Sequence, residues 1–554
     1  MTKLRLSGLN AVQRQSLVIS LTAFFTGLLL IALISVLVLI TARGGAYFWP
    51  KPIYSVALTP IPSPELASDQ VLPKEAASKE TTPKEITPKE IMPKETRPQI
   101  ETLLANVFDD EAKSEIRLKY ADALNPYGAQ LLVERERIKR IDLAKNSAEI
   151  KLNDGRQVMA VPENVVTPEG ANIPLAKLPQ IMESVALISS EITKLNKQFL
   201  APIHESLSRF DNRDVAADAP AREKLVAQFN EYQQRVRSLE TQRDQYKLAV
   251  SFADGQPFNI PIFTIQSVDF VSRLTGFEKW QVAIGEVFVF LTESPKQANT
   301  SGGVFPALFG TVLMVFIMTI IVTPFGVMAA IYLSEYAPNT ALTTTIRVSV
   351  SNMAGVPSIV YGVFGLGFFV YTLGGSIDSL FFSDTLPAPT MGSPGIFWAA
   401  LTMAILTLPV VIVATEEGLR RVPEGLKAGS YALGATKIET IVRTILPIAS
   451  PGIMTGVILA IARAAGEVAP LMLVGAVKFA PALPIDGEFP FLHLDRQFMH
   501  LGVLIYDSAF HSQTDAKSAS MMFAACLLLL VVVFVLNILA VLLRTRLRKR
   551  YLKG

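Results

Sequence analysis

Apolar residues fall along this chain in six long blocks, separated by polar stretches of very unequal length. The blocks run at about 17–40, 304–332, 348–374, 396–415, 452–475 and 521–543, each near or above the roughly 20 residues that a bilayer-crossing helix requires. The pattern predicts six transmembrane helices. The first block follows Lys3, Arg5 and Arg14, as the core of a secretory signal would. Its apolar run of about 24 residues is longer than the roughly 7–15 of a signal core, and no clear A-x-A cleavage pattern follows, so it is read as a retained anchor.

The longest polar stretch lies between the first two blocks. It opens with PKEAASKETTPKEITPKEIMPKETRP, 73–98, in which PKE occurs four times. Proline blocks regular pairing and alternating charge keeps such a stretch solvated, so 44–100 is expected to be an extended linker. Beyond it, AEIKLNDGRQVMAV (148–161) alternates around Asn153-Asp154-Gly155, the signature of a β-hairpin. Two amphipathic stretches, 176–209 and 219–249, predict an antiparallel helical hairpin. A β-prone piece at 256–271 precedes 271–294, which mixes Trp280 and several Phe with charges as an interfacial helix would. The insert 101–303 is thus read as an α+β domain.

Basic residues orient the spans. The tail 544–554 carries six of them, and the loop after the fourth span carries Arg420, Arg421, Lys427, Lys437 and Arg443. The loop between spans three and four, 376–395, has neither Lys nor Arg. Both termini are therefore expected in the cytosol and residues 44–303 outside it. That divides the chain into 1–43 (cytosolic start and first span), the linker 44–100, the insert 101–303, a five-helix core 304–543 and the basic tail 544–554. Composition agrees: of 554 residues 50% are hydrophobic and only 18% charged, a balance suited to long apolar spans. The small net charge of +3 gives no reason to expect nucleic acid as a partner. Cys526 is the single cysteine and the four histidines have no ligand spacing, which argues against a disulfide framework or a metal site.

Three features carry candidate chemistry. Within LAIARAAGEVAPLML, 459–473, Arg463 and Glu467 lie four residues apart in an apolar segment, where one charge at the bilayer centre costs roughly 2.5–3.5 kcal/mol. On a continuous helix they share a face and can pair, and the Ala and Gly residues around them let another helix approach closely. In span three, Gly355 and Pro357 interrupt the helix and free backbone amides near Ser358; a plain packing kink is the alternative. The loop 416–447 predicts a helix from Pro423 to Leu433-Gly434 and another from Lys437 to Leu446-Pro447, with Gly434 making the turn. GSYALGAT (429–436) has P-loop-like glycine spacing, but Ala435 stands where the phosphate-binding lysine should. The chain is expected to bind no nucleotide and to be no enzyme, so any ATP and Mg would sit on partner subunits.

AGVPSIVYG (354–362), LPVVIVATEEGLRRVP (408–423), YALGATKIETI (431–441) and ARAAGEVAPLML (462–473) together resemble a PstA-type permease of the phosphate ABC importer. The resemblance covers about 300–545, and the large insert resembles only an extended subclass. It implies an all-α polytopic fold with the six helices in a type I importer-like permease bundle, and an α+β periplasmic insert between helices 1 and 2. It further implies a bacterial inner-membrane subunit that imports inorganic phosphate. The partners implied are a sister permease (PstC-type), two cytosolic ATPase subunits (PstB-type), a periplasmic phosphate-binding protein (PstS-type) and membrane lipid. Arg463, Glu467, Gly355, Pro357 and Ser358 would line the substrate path. Glu424, Ala428, Gly429, Gly434, Ala435, Leu446 and Pro447 would couple to the ATPase. Ala428-Gly429-Ser430 stands in place of the family's Glu-Ala-Ala, leaving Glu424 one turn earlier as the nearest acid. Val413 and Ala414 stand where many relatives have arginine, leaving more of the anion contact to Arg463. Another oxyanion cargo, molybdate or sulfate, is the nearest alternative; a membrane sensor is a more distant one.

Overall fold

The computed structural model describes residues 11–59, 102–108, 115–167, 172–211, 219–296, 301–383, 387–487, 489–511 and 516–552. The PKE repeats lie outside them. The chain divides into two compact units, Pro50–Gln281 and the remainder (Met1–Trp49 with Val282–Gly554).

Helix α1 (Ala11–Phe48) leads into the first of these units. One antiparallel sheet has the order β4-β3-β2-β1-β5, from β1 (Tyr54–Leu58), β2 (Thr102–Phe108), β3 (Glu115–Ala121), β4 (Ala129–Glu134) and β5 (Ile138–Leu143). A second has the order β10-β9-β7-β6-β11, from β6 (Ala148–Leu152), β7 (Gln157–Val166), β9 (Lys247–Ser251), β10 (Pro257–Pro261) and β11 (Ile265–Asp269), with β8 (Asn172–Pro174) beside β7. The predicted β6–β7 hairpin is present. Gly155 takes φ +90° at its turn and the Asp154 carboxylate accepts the Arg156 N–H at 2.9 Å, the geometry that an Asp-Gly pair favours. Helices α2 (Leu178–Leu195), α3 (Ala201–Asp211) and α4 (Ala219–Asp244) make the helical hairpin, with Ile192 and Leu195 buried against Val236 and Phe199 stacked on Tyr232. Ile150, Val158, Leu248 and Ile262 are fully buried where α2 meets the second sheet. Ile53 and Ser272 exchange two hydrogen bonds of 3.1 Å, clasping the unit's entry to its exit.

Two boundaries in this unit differ from the sequence reading. Residues 44–100 are not all linker: α1 runs through to Phe48 and Tyr54–Leu58 forms β1, interior to its sheet. YSVAL is too short to announce itself beside Pro52. The second amphipathic stretch stops at Asp244, because Lys247–Ser251 pairs with both β7 and β10.

After α5 (Gly276–Thr292) comes the helical unit: α6 (Phe305–Ile331), α7 (Ala341–Met353), α8 (Ser358–Phe364), α9 (Gly375–Phe381), α10 (Ile396–Arg420), α11 (Glu424–Ala432), α12 (Lys437–Thr440), α13 (Leu446–Gly466), α14 (Ala469–Val474), α15 (Leu501–His511) and α16 (Ala516–Leu552). π-helical turns at Tyr332–Tyr336, Gly365–Gly374 and Ile441–Ile445 extend or join several of them. Among the described residues six helices are long and apolar enough to span a bilayer: Val18–Phe48, Phe305–Tyr336, Ser358–Phe381, Ile396–Arg420, Lys437–Gly466 and Ser520–Arg546. The six-span membrane fold is thereby established. Helix α10 is its centre. Trp398, Met403, Leu406 and Val411 are buried there, and its Thr402 and Thr407 hydroxyls donate to carbonyls one turn back at 2.8 Å.

Span three does not run 348–374 with a kink. Helix α7 stops at Met353, Pro357 is extended (φ −55°, ψ 133°), and a new helix starts at Ser358. Span five is displaced by more. The helix predicted to end at Leu446-Pro447 instead continues through the π turn into α13, so Lys437–Gly466 is one rod. Pro447 lacks the N–H that a regular ladder needs, and the wider turn just before it accommodates the gap. The rod ends at Gly466, not at 475.

Candidate substrate path and elbow

The close of that rod sets the site. Arg463 lies in the last turn of α13, where the negative end of the helix dipole favours a cation. Glu467 has left the helix (φ −78°, ψ 138°), and α14 begins two residues later with Pro470 in its first turn. The two charges still meet, with Arg463 Nε 3.5 Å from Glu467 Oε1 and side-chain exposures of 31% and 23%. The expected face-sharing pair on a continuous helix is therefore corrected: the pair exists because the chain turns at Glu467.

A second broken segment lies against this one. Gly362 of α8 sits so near α14 that a Cβ on it would come within 2.7 Å of Pro470 Cα. Tyr361 is within electrostatic reach of Arg463, and its hydroxyl donates to the Met353 carbonyl at 2.8 Å, tying α8 to the end of α7 across Gly355–Pro357. Tyr361 was missed in the sequence, where it reads as one more apolar residue. The breaks at Gly355–Ser358 and at Glu467–Val468 are thus joined through Tyr361, Gly362 and Pro470. A guanidinium beside a carboxylate can exchange that carboxylate for another anion, because any oxyanion offers its paired N–H donors the same oxygen acceptors.

At the other end of the rod is the elbow. Gly434 takes φ +86° between α11 and α12, and Leu433 beside it is 91% exposed. Thr436 and Glu439 form a reciprocal cap at the start of α12. Glu424 opens α11 with its side chain 88% exposed. Ala428 and Gly429 are exposed on α11, and Ala435 is half-buried. Leu446 and Pro447 are half-buried inside the rod, away from the elbow surface. Three ion pairs here were not anticipated. Lys427 bonds Glu335 at 2.8 Å and Glu424 at 3.3 Å, and Arg347 stands 3.5 Å from Glu416. Burial works to lower the Lys427 pKa, yet the hydrogen bond and charge of Glu335, with Glu424 adding, hold it above its ordinary range. No sequence period reports a pair whose members are 92 residues apart.

Residues 322–549 match the family described as binding-protein-dependent transport system inner membrane component. The chain is 36% identical over 247 residues to the phosphate transport system permease protein PstA 1 of Mycobacterium tuberculosis (strain CDC 1551 / Oshkosh), covering 44% of this chain and 71% of that protein. It is 34% identical over 258 residues to the phosphate transport system permease protein PstA of Yersinia pestis, covering 46% and 77%. Among solved structures, an inward-facing MetNI methionine ABC transporter matches at 20% identity over 44% of this chain and 94% of that one, with a TM-score of 0.32, too low to carry an argument. The fold, with its six spans, broken helices and elbow, is that of a membrane transport subunit, and the chain belongs to the PstA-type permeases of the binding-protein-dependent family.

Proposed function

We propose that this chain forms half of the translocation path of an ATP-driven importer of inorganic phosphate. A sister permease would supply the other half, two cytosolic ATPase subunits would bind ATP and Mg and meet the elbow, and an exported binding protein would deliver the anion. On this reading both termini and the elbow face the cytosol, residues 44–303 face outward, and the membrane is the bacterial inner membrane. The observation that carries the reading is the Arg463–Glu467 pair at the turn between α13 and α14, beside the break that precedes Ser358.

A guanidinium suits phosphate because it stays charged and donates two parallel hydrogen bonds. Glu467 holds it in position between cycles. An arriving phosphate displaces the carboxylate by offering the same oxygen acceptors, and the returning carboxylate helps expel the anion, so binding is neither too weak to admit it nor too strong to release it. Leu433 and Glu424 present exposed apolar and acidic groups of the elbow to the ATPase, Glu424 standing in for the acid absent at Ala428.

The test is uptake of radiolabelled phosphate by the complete transporter in liposomes, with sulfate and molybdate as competitors. Arg463→Gln is expected to assemble and hydrolyse ATP while uptake falls by about tenfold or more, the loss expected when a charged hydrogen bond of roughly 1.5–3 kcal/mol is removed. Undiminished uptake by the variant would reduce the pair to a structural clasp. Competition by sulfate or molybdate would move the cargo to that oxyanion.

A further inference from the structure

The π-helical turn that ends the second span, Tyr332–Tyr336, is a meeting point. The Leu333 carbonyl accepts a hydrogen bond from the Arg347 guanidinium of α7. Glu335 accepts from Lys427 of α11 at 2.8 Å, both side chains nearly enclosed with exposures of 10% and 14%. The Lys437 ammonium, first residue of the rod, lies 4.3 Å from the centre of the Tyr336 ring. Arg347 in turn faces Glu416 near the end of α10. Single π turns inside helices recur at functional sites because they break the regular ladder and leave a locally adjustable segment.

Helix α11 depends on this turn in an unusual way. None of its nine residues is buried, so apolar packing does not fasten it to the bundle. Its described side-chain ties to other elements are polar: Lys427 to Glu335, and the Ser430 hydroxyl to the Thr440 hydroxyl at 2.9 Å. A push on an element held this way passes through those ties. From Glu335 the links continue through Leu333 to Arg347, along α7 to Met353, and across the break by the Tyr361 hydroxyl bond to α8, which packs on α14 at Gly362.

We propose that Lys427 and Glu335 are positioning residues that hang α11 on the Tyr332–Tyr336 turn, and that this turn relays displacement of α11 through Arg347 and α7 to the broken segment before Ser358. The proposal rests on reading the elbow as the ATPase contact. It adds the route by which that contact reaches the anion path, and it assigns Lys427 a task facing the bundle, leaving Glu424 to face outward.

The complete transporter is reconstituted in liposomes with Lys427→Met, Glu335→Gln, Lys427→Arg and the reversed pair (Lys427→Glu with Glu335→Lys). Three quantities are read: basal ATP hydrolysis, hydrolysis stimulated by the binding protein, and anion uptake per ATP. Each neutralising variant is expected to assemble with basal hydrolysis intact, and to lose about tenfold in stimulated hydrolysis and in uptake per ATP, within the range of a site-to-site coupling. Lys427→Arg is expected to keep both, and the reversed pair to regain most of what the single changes lose. The proposal is overturned if the neutral variants keep stimulated hydrolysis, if they fail to assemble (the pair is then a folding brace), or if the reversed pair does no better than the singles. Stimulated hydrolysis without phosphate uptake in the unaltered protein would sink the phosphate reading and leave the relay standing. No stimulation in the unaltered protein would remove the elbow reading and the relay with it.

Discussion

Helices α10 and α13 cross at glycines, and the crossing can be tested by one methyl group. Ala414 and Gly418 on α10 face Gly452 and Gly456 on α13, both pairs at the four-residue spacing that brings membrane helices into backbone contact. A Cβ on Gly452 would lie 2.6 Å from Gly418 Cα, 3.2 Å from its nitrogen and 3.4 Å from the Ala414 carbonyl oxygen. All three are main-chain atoms, so no side chain can swing aside and the helices must part by about 1 Å. Overpacking of this kind costs roughly 1–3 kcal/mol, while alanine in place of glycine returns about 1 kcal/mol of helix preference. Gly452→Ala should therefore destabilise by about 1 kcal/mol. Gly429→Ala, in a helix where nothing approaches within 4 Å, should stabilise by about 0.5–1 kcal/mol. Thermal unfolding of the purified protein in detergent should place the two variants on opposite sides of the parent, separated by a few degrees. Equal midpoints would refute the reasoning, because they would mean that the crossing has room to spare.

Two further outcomes follow from buried polar groups. His500 is fully enclosed, its Nδ1 accepts the Gly502 N–H at 3.1 Å, and its Nε2 has no hydrogen-bond partner among the described residues. Burial pushes its pKa down to about 4, so the unfolded chain takes up the proton first. Its contribution is whole above about pH 6.5 and is lost as pH falls toward 4, a total of about 3 kcal/mol. His500→Asn keeps an acceptor for Gly502 and should flatten the midpoint between pH 7.5 and 5 relative to the parent; parallel curves would contradict this. Asp378 is buried and its carboxylate accepts the backbone N–H groups of Thr390, Met391 and Gly392 at 2.7–2.9 Å. Asp378→Asn offers a single acceptor oxygen and should lose about 1.5–3 kcal/mol per abandoned charged bond, seen as faster amide exchange at 390–392; unchanged exchange there would show that the loop holds without it.

The six spans were legible because a run of about 20 apolar residues has few other destinations. The interruption at Gly355 and Pro357 was legible too, but the one after Gly466 was not, and proline alone marks neither. Pro324, Pro409 and Pro451 all lie inside continuous helices, whereas Pro357 begins a new one, and residue type alone does not separate the cases. What differs is spatial: Tyr361 reaches back to Met353 and α14 packs on α8. The break after Gly466 had a sequence signal in Pro470, since proline favours the first turn of a helix, but the surrounding apolar run masked it. Arg463 and Glu467 stood out as charges in an apolar segment and do meet, although by a different backbone path. Lys427 and Glu335 sit on separate elements at the edge of the apolar spans, where charges are ordinary, so only folding reveals that they belong together.

The rod Lys437–Gly466 has 30 residues, about 45 Å at 1.5 Å per residue. Its glycine crossing at Gly452 comes roughly 22 Å from Lys437, and Arg463 stands about 17 Å beyond it. Taken as a lever about its tightest crossing, the rod has arms of similar length, one of them carrying the π turn at Ile441–Ile445. Swinging Lys437 sideways by 4 Å would carry Arg463 about 3 Å the opposite way. That distance is comparable to the 3.5 Å now separating Arg463 from Glu467. The crossing thus divides a single helix between the Arg463–Glu467 pair at one tip and the elbow at the other.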